Sequence, residues 1–478
     1  MDVQINRVVP DGGYGWIVVA AVAVINMTNQ SILSVFGQLF VGELKRMHED
    51  TFTAALITNL NSLALNFSGL FIGPAIKSFK PRNVAATGCV LVSLGLAICS
   101  LATEVWHFVI GYSIFVGFGL GLISPSTFMA INSYFSSKRG RAVGVSLAGA
   151  GVGQVFIPHV VEYFLNNHGF RIAVLAMAAL SLTGLFGAMF LKPLNPPRKH
   201  NNRKHMRLLA DTEDKKLTNT LQGVIIQTAE INSPAIEKVE KSERLCGKMC
   251  HRLVQAMDLE LLKDAVFLSI IIGMALVYTA TINFTMVFPS FLQQTAGFDS
   301  KIVASCMSVV ASADIVFRLL LPCITDRLRI SYRVVFLLGT AGLLIARFVM
   351  AAKSTNLVVI VAMSAFMGMS KSATVINNNL TISAHCRSEK LAGGLGLSMI
   401  SKGIIVITIG QLLGWVRDYA DSYVICLYAQ IVILLLVVVV WTPEILCRFR
   451  KQMNTTSKSI ETTTEAAPEE AAKLNSVS

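Results

Sequence analysis

Twelve apolar runs, each near the roughly 20 residues that a bilayer-spanning helix needs, dominate this chain of 478 residues. They fall at about 16–40, 54–76, 83–103, 107–132, 142–165 and 170–191. After a long polar break they resume at 265–292, 300–323, 333–352, 356–380, 391–415 and 422–442. Only 14% of the residues are charged and 53% are hydrophobic. A soluble domain carries roughly 25% charged residues. No water-soluble fold can bury this much apolar sequence, so the solvent for most of the chain is lipid. In lipid every backbone polar group must be satisfied within the protein, which leaves helices as the element for runs of this length. The sequence therefore predicts an all-α membrane protein of twelve transmembrane helices in two six-helix, pseudo-symmetric halves. The first run is too long for a signal-peptide core and lacks a small-residue cleavage site, so it reads as a retained span.

The expected organisation is an N-terminal half over 1–193, a basic cytoplasmic linker over 194–262, a C-terminal half over 263–442 and a disordered cytoplasmic tail over 443–478. The formal charge of +13 sits in short clusters between apolar runs. That is a topology signal and not a nucleic-acid footprint. Lys77, Lys80 and Arg82, then Lys138, Arg139 and Arg141, then Arg327, Arg329 and Arg333, and finally Arg387 and Lys390 mark alternate loops as cytoplasmic. Both termini are then cytoplasmic. Part of the linker, 242–263, alternates apolar and basic residues and suits the membrane surface. Cys246, Cys250 and His251 have metal-like spacing but no fourth ligand, so no metal or cofactor is expected. There is no Gly-x4-Gly-Lys-Ser/Thr loop for nucleotide and no His-Glu-x-x-His, which disfavours an ATP-driven pump and an enzyme.

Charges inside spans are costly, at roughly 2.5–3.5 kcal/mol on insertion scales, and so mark function. Asp314 and Arg318 are four residues apart and share a helix face. The planar fork of Arg318 suits a substrate carboxylate, with Asp314 holding it when the site is empty and serving as a proton site. Lys371 and Lys402 add two more cations inside runs ten and eleven. Asn378, on the face of Lys371 two turns on, and Asn29, a polar residue of the first run, join Lys371 and Lys402 as expected substrate-binding residues. One carboxylate against three cations favours an anionic substrate. Glycine-rich stretches with mid-run prolines, around Gly117–Pro125 and Gly144–Pro158, fit close packing and rocking helices.

Asp11-Gly12-Gly13-Tyr14-Gly15-Trp16 leads directly into the first span. Tyr134-Phe135-Ser136-Ser137-Lys138-Arg139-Gly140-Arg141-Ala142-Val143-Gly144 leads into the fifth. These resemble the two signatures of the monocarboxylate transporter family (solute carrier family 16 type) of the major facilitator superfamily. Asp314 and Arg318 match the acid and base of that family's eighth helix. The resemblance implies the major facilitator fold and a plasma-membrane secondary transporter of monocarboxylates or related organic acids, with proton symport. It also implies dependence, in some relatives, on a single-span immunoglobulin-like chaperone. Two departures stand out. No lysine precedes Lys45, whereas the proton-coupled lactate carriers have one within helix 1. Gln411-Leu412 replaces the family's double proline in helix 11. Alternatives are a facilitative carrier for amino-acid-like or zwitterionic metabolites and, from another class, a membrane receptor or regulator on a transporter scaffold.

Overall fold

The computed structural model describes residues 11–49, 51–192, 257–420 and 422–447. Most of the linker and tail, with Cys246, Cys250 and His251, lies outside them. Eleven helical segments among the described residues are long and apolar enough to cross a membrane. We number them by span: α1 Tyr14–Arg46, α2 Thr53–Ser78, α3 Pro81–Ser100 and α4 Val105–Tyr134. The next segment, Arg139–Phe190, has 52 residues. Held straight it would reach about 78 Å at 1.5 Å per residue, more than twice the ~30 Å core of a bilayer. It does not run straight. Gly169, at φ 79° and ψ 177°, breaks it, a backbone state that a residue without Cβ reaches at low cost. The segment is thus two spans, α5 (139–168) and α6 (170–190). The C-terminal half follows as α7 Ala265–Thr295, α8 Ser300–Leu328, α9 Tyr332–Ala352, α10 Leu357–His385, α11 Leu391–Val416 and α12 Tyr423–Cys447.

Local sequence sets the helix starts. Asp264 caps α7 by accepting from the N–H groups of Val266 and Phe267 at 2.9 and 3.4 Å. Asn356 caps α10 in the same way. Both satisfy amides that no helical carbonyl can reach. Pro81 opens α3, where its missing N–H costs nothing. The outward faces carry large exposed apolar side chains, such as Phe186, Leu338, Val358 and Val432. Lipid covers these faces at no hydrophobic cost.

Within each half, buried polar groups tie helices together. Asn61 Nδ2 donates to the Tyr112 carbonyl at 2.7 Å, joining α2 to α4. Ser181 Oγ donates to Asn29 Oδ1 at 2.6 Å, joining α6 to α1. In the other half Arg333 forms a bidentate pair with Glu444 at 2.7 and 2.6 Å, and its guanidinium stacks 4.6 Å from the Trp441 ring.

The two halves meet along α5 with α8 and along α2 with α11, at the end of each helix next to the basic loops. Gly69 and Gly396 let the backbones of α2 and α11 touch. Gly144 does the same for α5 against the Arg318 carbonyl of α8. Arg141 donates its backbone N–H to Asp326 Oδ2 at 3.1 Å. Arg139 Nη1 reaches the Ser383 hydroxyl of α10 at 3.4 Å. Lys77 pairs with Asp258, just ahead of α7, at 2.6 Å. We expect Gly144→Val to force this seam apart, because a Cβ there has only backbone and Pro322 to displace. Overpacking costs about 1–3 kcal/mol. The measurement is thiol labelling of a reporter Ser398→Cys from the basic-loop side, which rises when the seam opens.

Candidate functional site

The residues of the two sequence signatures meet in space. The Asp11 carboxylate accepts from the backbone N–H groups of Ser136, Ser137 and Lys138 at 2.6, 3.0 and 3.4 Å. Gly12 and Gly13 turn the chain into α1, Gly13 at φ 57°. Gly15 lies against Phe135, where a Cβ would clash with the ring. Trp16 meets the edge of that ring at 5.2 Å. Arg139 Nε donates to the Phe135 carbonyl at 3.0 Å. The signatures therefore fasten the start of α1 to the loop that aims α5 at α8. Burial alone would raise the Asp11 carboxyl; the three N–H donors outweigh it and hold it below the usual carboxylate range. The stability this gives is full above the ordinary carboxylate pKa and is lost as pH falls through the lowered value. Asp11→Ala is expected to lose about 1 kcal/mol at neutral pH, read as a drop in melting temperature that shrinks towards strongly acidic pH.

Three of the four intramembrane charges singled out in the sequence form one cluster. Arg318 Nε and Nη2 donate to Asp314 Oδ1 and Oδ2 at 2.9 and 2.8 Å. The remaining nitrogen, Nη1, donates to the Leu147 carbonyl of α5 at 3.0 Å. Lys371 Nζ lies 3.4 Å from Asp314 Oδ2. Asp314 and Arg318 are only 4% and 7% exposed. The spacing of four on α8 makes the fork possible. Arg318 thus holds a carboxylate of its own half and a backbone carbonyl of the other.

Lys402 stands apart from this cluster. It faces a central cavity of about 280 Å³ between the halves, whose polar lining includes Asn26, Gln30, Asn66, Tyr278 and Asn378. Lys402 is 8% exposed, and its Nζ lies 5.4 Å from the centre of the Tyr278 ring. No carboxylate of the described residues pairs with it. It is the cavity's charged side chain; no Asp or Glu is part of the lining. Directly after it α11 takes a wider π-helical turn over Val406–Gly410, a distortion common near functional sites.

The sequence-derived candidates separate accordingly. Lys402 and Asn378 lie on the cavity, while Asp314, Arg318 and Lys371 form the cluster beside it. Asn29 is not on the cavity. It is fully buried, donates to Thr28 Oγ1 at 3.0 Å and accepts from Ser181. Asn26 and Gln30, four residues apart, hold the cavity face of α1 instead. Arg347 of α9 escaped the sequence reading. It is fully buried, stacks 4.7 Å from the Phe284 ring, and none of its three nitrogens has an acceptor among the described residues. A lone arginine inside an apolar run was the available signal.

A family described as the Major Facilitator Superfamily matches residues 19–443. Monocarboxylate transporter 14 of Homo sapiens is 23% identical over 86% of this chain and 87% of its own length. Monocarboxylate transporter 13 of Rattus norvegicus is 31% identical, but the match spans 39% of this chain and 44% of that protein. Among solved structures, the proton:xylose symporter XylE bound to 6-bromo-6-deoxy-D-glucose aligns with a TM-score of 0.62 at 15% identity, over 89% of this chain and 95% of that one. FucP in the outward conformation aligns with a TM-score of 0.61 at 12% identity, over 89% and 97%. Identities this low show the fold alone.

Proposed function

Because the chain belongs to the Major Facilitator Superfamily, and is therefore a transporter and not an enzyme, we propose that it moves monocarboxylates or related organic acids by alternating access around the Lys402 cavity. One observation carries this reading. An ammonium group, almost fully buried, faces the cavity without a carboxylate among the described residues to balance it. A buried charge of this kind is unfavourable unless an anion joins it. A substrate carboxylate supplies that anion, and the amides of Asn66 and Asn378 can donate to its oxygens. The monocarboxylate transporters among its relatives agree with this choice.

In the same proposal Arg318 binds substrate in a second stage. Its donors are occupied here by Asp314 and by Leu147 of the opposite half. Rocking of the halves would break the Leu147 bond and free one nitrogen. Lys371 then shares Asp314, and Asp314 is the mid-membrane carboxylate that proton symport would use. With basic loops facing the cytoplasm, the closed seam is cytoplasmic and the cavity belongs to an outward-facing state. The plasma membrane, cytoplasmic termini and an immunoglobulin-like chaperone are parts of this proposal that rest on loop charge and on the relatives. The zwitterion alternative is less well served, since the cavity offers no carboxylate to an ammonium group.

The test is uptake of radiolabelled lactate, pyruvate, phenylpyruvate, ketone bodies and aromatic amino acids into oocytes at acidic and at neutral pH. Carboxylate uptake supports the reading, and faster uptake at acidic pH supports symport. Correct surface expression without carboxylate uptake at either pH would overturn it.

A further inference from the structure

A second cavity of about 160 Å³ opens off the substrate cavity, inside the C-terminal half. Tyr278, Val375, Asn378 and Lys402 line both spaces, so they form the shared wall. The deeper wall is Met274, Val277 and Thr281 of α7, Phe336 of α9 and Thr374 of α10. Its two threonine hydroxyls are both engaged by backbone carbonyls of their own helices. Thr281 Oγ1 donates to the Val277 carbonyl at 2.7 Å, and Thr374 Oγ1 donates to the Lys371 carbonyl at 2.8 Å. Neither hydroxyl proton is left free for a ligand. The chamber has a cationic, amide-bearing mouth and an apolar end.

We propose that this chamber receives the apolar tail of the substrate and sets which carboxylates are carried. The proposal rests on the assignment of the substrate carboxylate to Lys402. With the carboxylate at the mouth, the next atoms of the ligand point either back into the central cavity or into the chamber. The size of the chamber is selective. Apolar protein cavities of about 150 Å³ stay dry and take up benzene. A phenyl ring or a branched chain of similar bulk fits this one, and a two- or three-carbon acid leaves it empty. Tail burial would remove apolar surface from water. The ring of Phe336 belongs to the part of the wall that the central cavity does not share, and it limits the room for a tail. Lactate-sized acids are then poor substrates, and carboxylates with a ring or a branched tail are good ones.

The experiment compares uptake of pyruvate, phenylpyruvate and a larger naphthyl-bearing 2-oxo acid by the full chain, with surface expression measured for every variant. Val277→Phe fills the chamber and Phe336→Ala lengthens it, and neither residue lines the central cavity. One methylene of misfit in an apolar pocket changes specificity by about 10–200-fold. Val277→Phe is expected to lower phenylpyruvate uptake at least tenfold relative to pyruvate. Phe336→Ala is expected to admit the naphthyl acid, which wild type excludes. Lys402→Met is expected to lower uptake of all three together. Equal changes for pyruvate and phenylpyruvate in both chamber variants would overturn the proposal while leaving the carboxylate carrier intact. Absence of uptake of all three acids by surface-expressed wild type would remove the functional reading beneath it.

Discussion

Lys402→Met is expected to abolish carboxylate uptake and to raise the melting temperature of the protein. The two effects have one cause. The ammonium sits almost fully buried beside Tyr278, with no carboxylate among the described residues to pair with it. Keeping an unpaired charge there costs folding free energy. Methionine has a similar length and carries no charge, so the apo protein gains stability. The substrate loses its counter-charge. Truncating one partner of a buried charge pair costs about 2–5 kcal/mol, which is roughly 30-fold to several-thousand-fold in affinity. A residue that served only packing would show the opposite stability change. Lys402→Arg keeps the charge but brings a planar fork into a space shaped for a point charge, and is expected to recover part of the activity.

Asp314→Asn has the largest expected effect on stability. The carboxylate is shared by Arg318 and Lys371 within 3.4 Å. Removing it leaves the buried Arg318 and the partly exposed Lys371 without an anion, and breaking a buried pair such as Asp314 with Arg318 costs about 3–5 kcal/mol. Arg318→Met is milder, because Asp314 keeps Lys371. It also breaks the bond to Leu147 across the seam, so it loosens the contact between halves. The double variant, Asp314→Asn with Arg318→Met, is expected to cost less than the two single losses added together. A coupling of about 0.5–3 kcal/mol is the range for residues in one network. Thermal unfolding of the four purified proteins in detergent gives the cycle directly. Additive losses would show that the fork contributes nothing as a pair.

Much of the fold is legible in the sequence because lipid imposes so simple a demand. The twelve apolar runs match the spans to within a few residues, with α1, α8, α10 and α12 running five or six residues further than expected. Gly169 matters more than its neighbours suggest, since a helical pattern runs almost unbroken from Arg139 to Phe190 and one positive φ divides it. The pairing of Asp314 with Arg318 follows from a spacing of four. What the spacing cannot give is which half completes the contact, and here Leu147 of α5 does so. Asn29 shows the limit of reading one face. Helix α1 carries amides on two faces, and the sequence does not say which face meets the cavity and which meets Ser181. Lys402 and Lys371 looked alike as intramembrane lysines. Tertiary placement separates them, one paired with Asp314 and the other alone on the cavity. The signatures also changed meaning: Asp11 and Arg139 hold the α4–α5 loop and the seam, and neither lines the cavity.

The claim that Lys402 is the carboxylate's partner has a direct test in binding, independent of transport rate. A ligand that binds the folded state at about 100 times its Kd stabilises it by about 2.7 kcal/mol. The measurement is the melting temperature of purified wild-type protein and of Lys402→Met in nanodiscs, titrated with phenylpyruvate at constant ionic strength and pH. The account predicts a rise for wild type that grows with the logarithm of ligand concentration, and none for Lys402→Met. An equal rise in both proteins would contradict it.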